Sequence, residues 1–360
     1  MNKKLLLALS LVLAILMIVG CSSNLPKDND NNNKGNDQVD NKDDDKDDDK
    51  DDDSKAGSLK TGLAIITSPK SSKDAGEADG LAQIDSTVVA VTVDENGKIV
   101  ECIIDAVQTK INFSKEGKVL TDLATAVKSK NELGTDYGMI KNSGIGKEWN
   151  EQAAALAQYV IGKTVEEVKG IAVNEKGAPS DTDLSASVTM GIGGYVDAIE
   201  RAVANAKNIG ANAGDKLGLG IATSISKSAD AQEGKEGQGQ AYSYYTALTT
   251  GADGKITSCI IDATQGTVKF DTTGKITTDL TAEVKTKNEL GDAYGMRGNS
   301  KIGKEWNEQA QAFADYVVGK TPSEVKGIAL TDGKAADADL AASVSVTIAD
   351  MIEIIEKAVK

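Results

Sequence analysis

Two hydrophobic periods divide the chain. Between Gly146 and Ile161, Trp149, Ala153, Leu156 and Val160 step by four, three and four, a single apolar stripe that predicts an amphipathic helix and gives Trp149 a place in the core. Ile192, Val196, Ile199 and Val203 predict another helix, matched near the end of the chain by Ile348, Ile352, Ile355 and Val359. Thr164-Val165-Glu166-Glu167 is a capping box for a short helix, and Thr321-Pro322-Ser323-Glu324 repeats it with Pro at the first helical position. Elsewhere the residues favour strands. Residues 63–67 predict a first strand, and 68–79, rich in Ser, Lys, Asp and Gly, a loop. Residues 87–93 are β-branched and apolar, Asp94-Glu95-Asn96-Gly97 carries a hairpin signal, and 98–107 predict the return strand. The same plan recurs at 241–249, Asp253-Gly254 and 255–263. A further short strand pair is expected at 111–113 and 118–120, with 268–270 and 275–277 as its counterpart. Strands followed by helices, twice over, indicate an α+β fold of two tandem units, each an antiparallel sheet followed by helices.

The recurrence extends to residue identities. Asn131-Glu132-Leu133-Gly134, Tyr137-Gly138-Met139 and the run from Ile145 to Ala153 reappear at Asn288, Tyr294 and Ile302, in a register that never slips: 288 − 131 and 306 − 149 both equal 157. A self-match of that length marks a duplicated domain, with too long a period for a solenoid. The copies are expected at 57–206 and 214–360, joined by a small, polar linker at 207–213. Each copy is near the commonest domain size and able to bury a core of its own.

Ahead of the repeats, composition changes abruptly. Met1-Asn2-Lys3-Lys4 and the apolar run 5–19 have the charged start and short hydrophobic core of a secretory signal, expected at 1–20. Small residues before Cys21 resemble the lipobox of bacterial lipoproteins, which implies that Cys21 is lipidated and holds the protein on the outer face of the membrane, anchored rather than spanning. The remainder of 21–56 is nearly all Asp, Asn and Lys, a segment expected to be a disordered, self-repelling tether. Residues 27–56 hold thirteen Asp against six Lys, a net of −7 out of −15, and leave the repeats only mildly acidic. Nucleic acid is therefore not an expected partner. The chain contains no His, which excludes His-dependent hydrolases and His-ligated zinc sites. Cys102 and Cys259 occupy equivalent strand positions, one per copy, and are expected to be unpaired thiols packed as small hydrophobes.

Candidate chemistry sits late in each copy. Asp183-Leu184-Ser185-Ala186-Ser187-Val188-Thr189 and Asp339-Leu340-Ala341-Ala342-Ser343-Val344-Ser345 bring hydroxyls up to the closing helix, where orphan N–H groups and the helix dipole favour a phosphate. The alternation of Leu184, Ala186, Val188 and Met190 also fits a last strand, and the hydroxyls also suit helix capping. With the hairpin and the Tyr-Gly-Met segment, this order of elements resembles the extracytoplasmic FMN-binding domain found in membrane electron-transport subunits and tandem-domain surface lipoproteins. The resemblance implies FMN as cofactor, attached in the family through a Thr hydroxyl that falls here on Thr189 and Ser345. Ser187, Ser343, Asp183 and Asp339 complete the segment, although Ser187-Val188 and Ser343-Val344 replace the family's Gly-Ala. Tyr137 and Tyr294 are candidates to stack on the flavin ring. The implied function is an electron carrier at the cell surface, with redox partners there and no catalysis of its own. The alternative is a cofactor-free binding or structural lipoprotein that keeps only the fold. Asn131-Glu132-Leu133-Gly134, Tyr137, Lys147, Glu148, Asn150 and Glu151, the polar part of the self-match, either line a shared cleft or form buried hydrogen-bonded structure.

Overall fold

The β-branched segments pair as antiparallel sheets in the computed structural model, which describes residues 57–360. The signal peptide, Cys21 and the acidic tether expected at 1–56 lie outside the described residues. In the first copy β1 (Lys60–Ser68), β2 (Gly80–Val93) and β3 (Ile99–Phe113) lie in the order β1-β2-β3. In the second, β4 (Lys216–Ser224), β5 (Gly237–Thr250) and β6 (Ile256–Phe270) repeat that order. Gly97 and Gly254 both take φ 76°, the left-handed conformation that the tight β2–β3 and β5–β6 turns need. β2 starts at Gly80, seven residues earlier than expected, because Gln83, Asp85 and Ser86 mask the strand's polar half. The separate strand expected at 111–113 is the end of β3, and Val119 makes a single bridge back to Phe113.

Helices follow each sheet. The first copy has α1 (Lys130–Leu133), α2 (Trp149–Val160), α3 (Val165–Lys169), α4 (Thr182–Ser185) and α5 (Gly193–Ala204). The second has α6 (Lys287–Leu290), α7 (Trp306–Val317) and α8 (Pro322–Lys326), a small hairpin of β7 (Leu330–Thr331) and β8 (Lys334–Ala335), then α9 (Ala338–Ser343) and α10 (Ala349–Ala358). Both capping boxes form, with Thr164 and Thr321 accepting from the backbone of Glu167 and Glu324. Among the described residues no helix is long and apolar enough to cross a membrane.

Strand alternation decides the layering. Val89, Val91, Ile104 and Ala106 face Trp149, Leu156, Val160 and Ile199, so one face of the first sheet is covered by its own helices. The second sheet is covered likewise by α7 and α10. The other faces cover each other: Leu63, Ile65, Val88 and Val107 meet Leu217, Ile221 and Tyr245, while Ala82, Ile84 and Ile111 meet Ala241 and Val268. Phe113 and Phe270, equivalent residues of the two copies, stack at 4.0 Å with planes 2° apart. The order is thus helices, sheet, sheet, helices. The segment between the copies is paired as well, since Lys207 exchanges backbone hydrogen bonds with Thr61 along the edge of β1.

Close approach fixes the outer layers. A Cβ on Gly220 would lie 1.9 Å from the Ile354 carbonyl of α10, and one on Gly62 would lie 2.0 Å from the Ala202 carbonyl of α5. Only glycine lets these helix backbones rest on the strands.

Phe113→Ala should cost about 3–5 kcal/mol, since both stacked rings are fully buried and neither copy can refill the space alone. Denaturant unfolding of the purified protein measures this, and a loss below about 1 kcal/mol would count against a well-packed sheet interface.

Candidate functional site

Buried acceptors build the loops on which the site rests. Glu305, 1% exposed, accepts from the backbone N–H of Met296 at 2.9 Å and of Arg297 at 2.6 Å, and Glu148 holds Met139 and Ile140 in the same way at 2.9 Å. One turn along α7, the fully buried Gln309 donates to Ser300 Oγ and the Lys304 carbonyl. Its oxygen accepts from the N–H of Ser345 (2.8 Å), the N–H of Val346 (3.2 Å) and the Ser345 hydroxyl (3.1 Å). Gln152 binds the N–H and hydroxyl of Thr189 and the N–H of Met190 identically. Segment 184–190 is therefore no strand: its first residues are helical, and the rest hangs from one amide oxygen. Nor do these hydroxyls cap the closing helices, which begin at Gly193 and Ala349 without a side-chain cap.

Ser345 and Tyr294 open into one hollow of ≈ 350 Å³, walled by Tyr242, Tyr244 and Trp306 and carrying Lys287, Lys301 and Lys334. The Lys287 ammonium lies 4.5, 4.3 and 4.8 Å from the ring centroids of Tyr242, Tyr294 and Trp306, and donates to the Tyr242 hydroxyl at 2.5 Å. Burial pushes its pKa down to about 7, against the pull of the nearby Asp262 carboxyl, while the three ring faces favour the cation. Burial also raises the pKa of Tyr242, so this phenol stays protonated.

The first copy differs here. Lys130 lies over Tyr137 and Trp149, and Trp149 Nε1 donates to the Tyr195 hydroxyl at 3.0 Å. Where the second copy has Tyr242, Tyr244, Lys301 and Lys334, the first has Asp85, Thr87, Gly144 and Ala178. Thr189 is exposed, and Ser187 accepts from Lys147 Nζ at 3.2 Å. Asp183 and Asp339 are exposed in the first turns of α4 and α9, Ser343 ends α9, and neither Asp339 nor Ser343 lines the hollow. The structure thus joins Tyr294 to Ser345 and adds Tyr242, Tyr244, Lys287, Lys301 and Lys334. Four of these five could be found by asking where the copies differ, and not where they agree.

Other buried polar groups serve the framework. Asp262 accepts from the N–H of Ala263 at 2.8 Å and of Asn288 at 3.0 Å, and burial raises its pKa to about 7; Asp105 rises to about 6 for the same reason. Cys102 and Cys259 are free thiols that burial pushes up to about 12, so neither is a reactive thiolate near neutral pH. Among the described residues no group of Cys, Asp and Glu is arranged to hold a metal ion.

No family model matches the chain, and no solved structure matches it. Among curated proteins, a chlorophenol reductase of Desulfitobacterium hafniense is 50% identical over 42 residues, which are 12% of this chain and 13% of that protein. The chain thus covers about an eighth of that relative's length, and the similarity is local.

Because the folded state favours protonated Asp262, its contribution to stability is complete below about pH 4 and is lost as pH rises through about 7. Asp262→Asn, which keeps the acceptor oxygen, should melt with the wild type near pH 4 and progressively above it towards pH 8. Thermal midpoints across that range test this, and a difference independent of pH would contradict it.

Proposed function

We propose that the protein is a lipid-anchored, extracytoplasmic carrier whose second repeat holds a flavin mononucleotide and passes electrons at the cell surface. The observation that carries this is the concentration, in the second copy alone, of aromatic walls, three lysines and the Ser345 hydroxyl around one hollow. Its ≈ 350 Å³ falls within the range of small-ligand pockets, roughly 300–1,000 Å³. Rings suit a planar conjugated ligand, and ammonium groups suit its phosphate.

The residues fit the group chemically. Gln309 would still hold the N–H groups of Ser345 and Val346 if the Ser345 oxygen were esterified, so attachment need not unfasten the segment. Lys301 and Lys334, both exposed, are placed to neutralise phosphate, and Lys287, whose pKa burial lowers to about 7, sits against the ring walls. Flavin, when bound, supplies one- and two-electron transfer. The protein's part is to hold and orient it. Thr189 is anchored like Ser345, but the first copy has Asp85, Thr87, Gly144 and Ala178 in place of Tyr242, Tyr244, Lys301 and Lys334. The reading therefore assigns one flavin per chain.

The full chain purified from its native host should be yellow, or should quench FMN fluorescence saturably on titration. Lys301→Ala with Lys334→Ala should weaken FMN binding by about tenfold or more, the scale of one or two charge-assisted hydrogen bonds. Ser345→Ala should remove any covalent adduct from the intact mass, whereas Thr189→Ala should leave it. A colourless protein indifferent to added FMN would reject the flavin.

A further inference from the structure

The two copies face each other across the sheets, so each cleft on one side of the pair has a counterpart on the other. In one of these places a lysine takes up part of the space and leaves a cavity of ≈ 270 Å³. Lys357, on α10, directs its ammonium onto the Ile221 carbonyl at 2.9 Å and Glu132 Oε1 at 3.0 Å. The other oxygen of Glu132 is occupied by the N–H of Ser129 at 2.8 Å.

The counterpart is open. Ile65 and Glu289 stand where Ile221 and Glu132 stand in the lysine-bearing cleft, and they line a cavity of ≈ 660 Å³ between the copies. Glu289 Oε2 is likewise occupied by the N–H of Thr286, at 2.8 Å, which leaves Oε1 as the free acceptor. Ile65 lies on the edge strand β1, two residues beyond Leu63, whose carbonyl accepts from Asn205 Nδ2 across that edge; strand alternation turns the Ile65 carbonyl the same way. The residue equivalent to Lys357 is Arg201, and it does not fill the cleft. Arg201 pairs instead with Glu283 at 3.6 Å, and the position of Glu283 is Ala126 in the first copy. No Lys or Arg among the described residues pairs with Glu289. Asn307, on the wall of the same cavity, has a buried side-chain oxygen with no hydrogen-bond partner. Leu63, Ile260 and Ile261 give the cavity an apolar side along which a methylene chain can lie.

We propose that this cleft binds an aliphatic primary amine, whose ammonium takes the place that Lys357 occupies in the equivalent cleft. The Ile65 carbonyl and Glu289 Oε1 are the acceptors that the equivalence sets around its ammonium, Asn307 and Glu308 on the same wall offset the charge of Lys207 and Lys304, which also line the cavity, and the apolar wall takes its stem. Asp262 also lines the cavity, and a bound cation favours its ionised form. The site shares no residue with the hollow around Ser345, and it stands whether or not flavin binds there.

Titration calorimetry of pentane-1,5-diamine into the full chain tests this, with pentan-1-ol as the uncharged probe. One diamine should bind saturably and the alcohol should not. Glu289→Gln should weaken binding by about tenfold or more. Glu283→Ala combined with Arg201→Lys recreates the arrangement of the lysine-bearing cleft and should weaken it comparably, because the new lysine competes from within. That double variant keeps every residue lining the cavity, so it separates occupancy from misfolding, with an unchanged thermal midpoint as the check. Absence of saturable diamine binding, equal binding of the alcohol, or unchanged affinity in Glu289→Gln would each overturn the proposal.

Discussion

The burial of one sheet against the other is the constraint from which the rest of the architecture follows. A three-stranded sheet covered by helices on one face leaves the other face apolar and unpaired, and duplication supplies a second such face of matching shape. Phe113 stacks on Phe270 where the same position of the two copies meets itself. Small residues are required around that contact: a Cβ on Gly239 would come within 2.5 Å of Ala82, and one on Gly266 within 2.7 Å of Ile84. Hydroxyls complete the interface, with Thr61 bonded to Ser258 at 2.7 Å and the wholly buried Tyr245 to Ser86 at 3.1 Å. The copies are therefore repeats in sequence but share a core, and the described residues 57–360 belong to one compact unit.

Much of the fold was legible because periodicity survives where one face is buried. The stripe from Trp149 to Val160 became α2, all four of its residues buried. Both hairpins formed at their Gly turns, and the capping boxes placed α3 and α8 to the residue. What escaped has physical causes. The run from Val88 to Val93 is buried on both faces, so its alternation is invisible, and nothing in it reveals that one face meets a second sheet. Alternation from Leu184 to Met190 mimicked a strand because Leu184 and Val188, four apart, both point inward from a helical turn and its extension.

The site was legible in part. Matching elements pointed to Ser345 and Tyr294, which the structure brings together; identity between copies pointed to Glu148, which proves to be scaffold and, like Gln152 beside it, collects backbone N–H groups from loops. The distinctive chemistry lies where the copies diverge. Tyr242, Tyr244, Lys301 and Lys334 have no counterparts of their kind in the first copy, and Glu283 has only Ala126. A duplicated fold can hold its geometry with shared residues and vary the lining of its cavities with the others, as this chain does at both the hollow and the open cleft.

The claim on which all of this rests is that two copies fold around one shared interior. Scanning calorimetry of the full chain addresses it most directly. A single transition whose van't Hoff enthalpy equals the calorimetric enthalpy is the expected result, because neither sheet can keep its inner face buried after the other has melted. Two resolved transitions, each carrying about half the heat, would show that each copy is stable alone and would contradict the shared core.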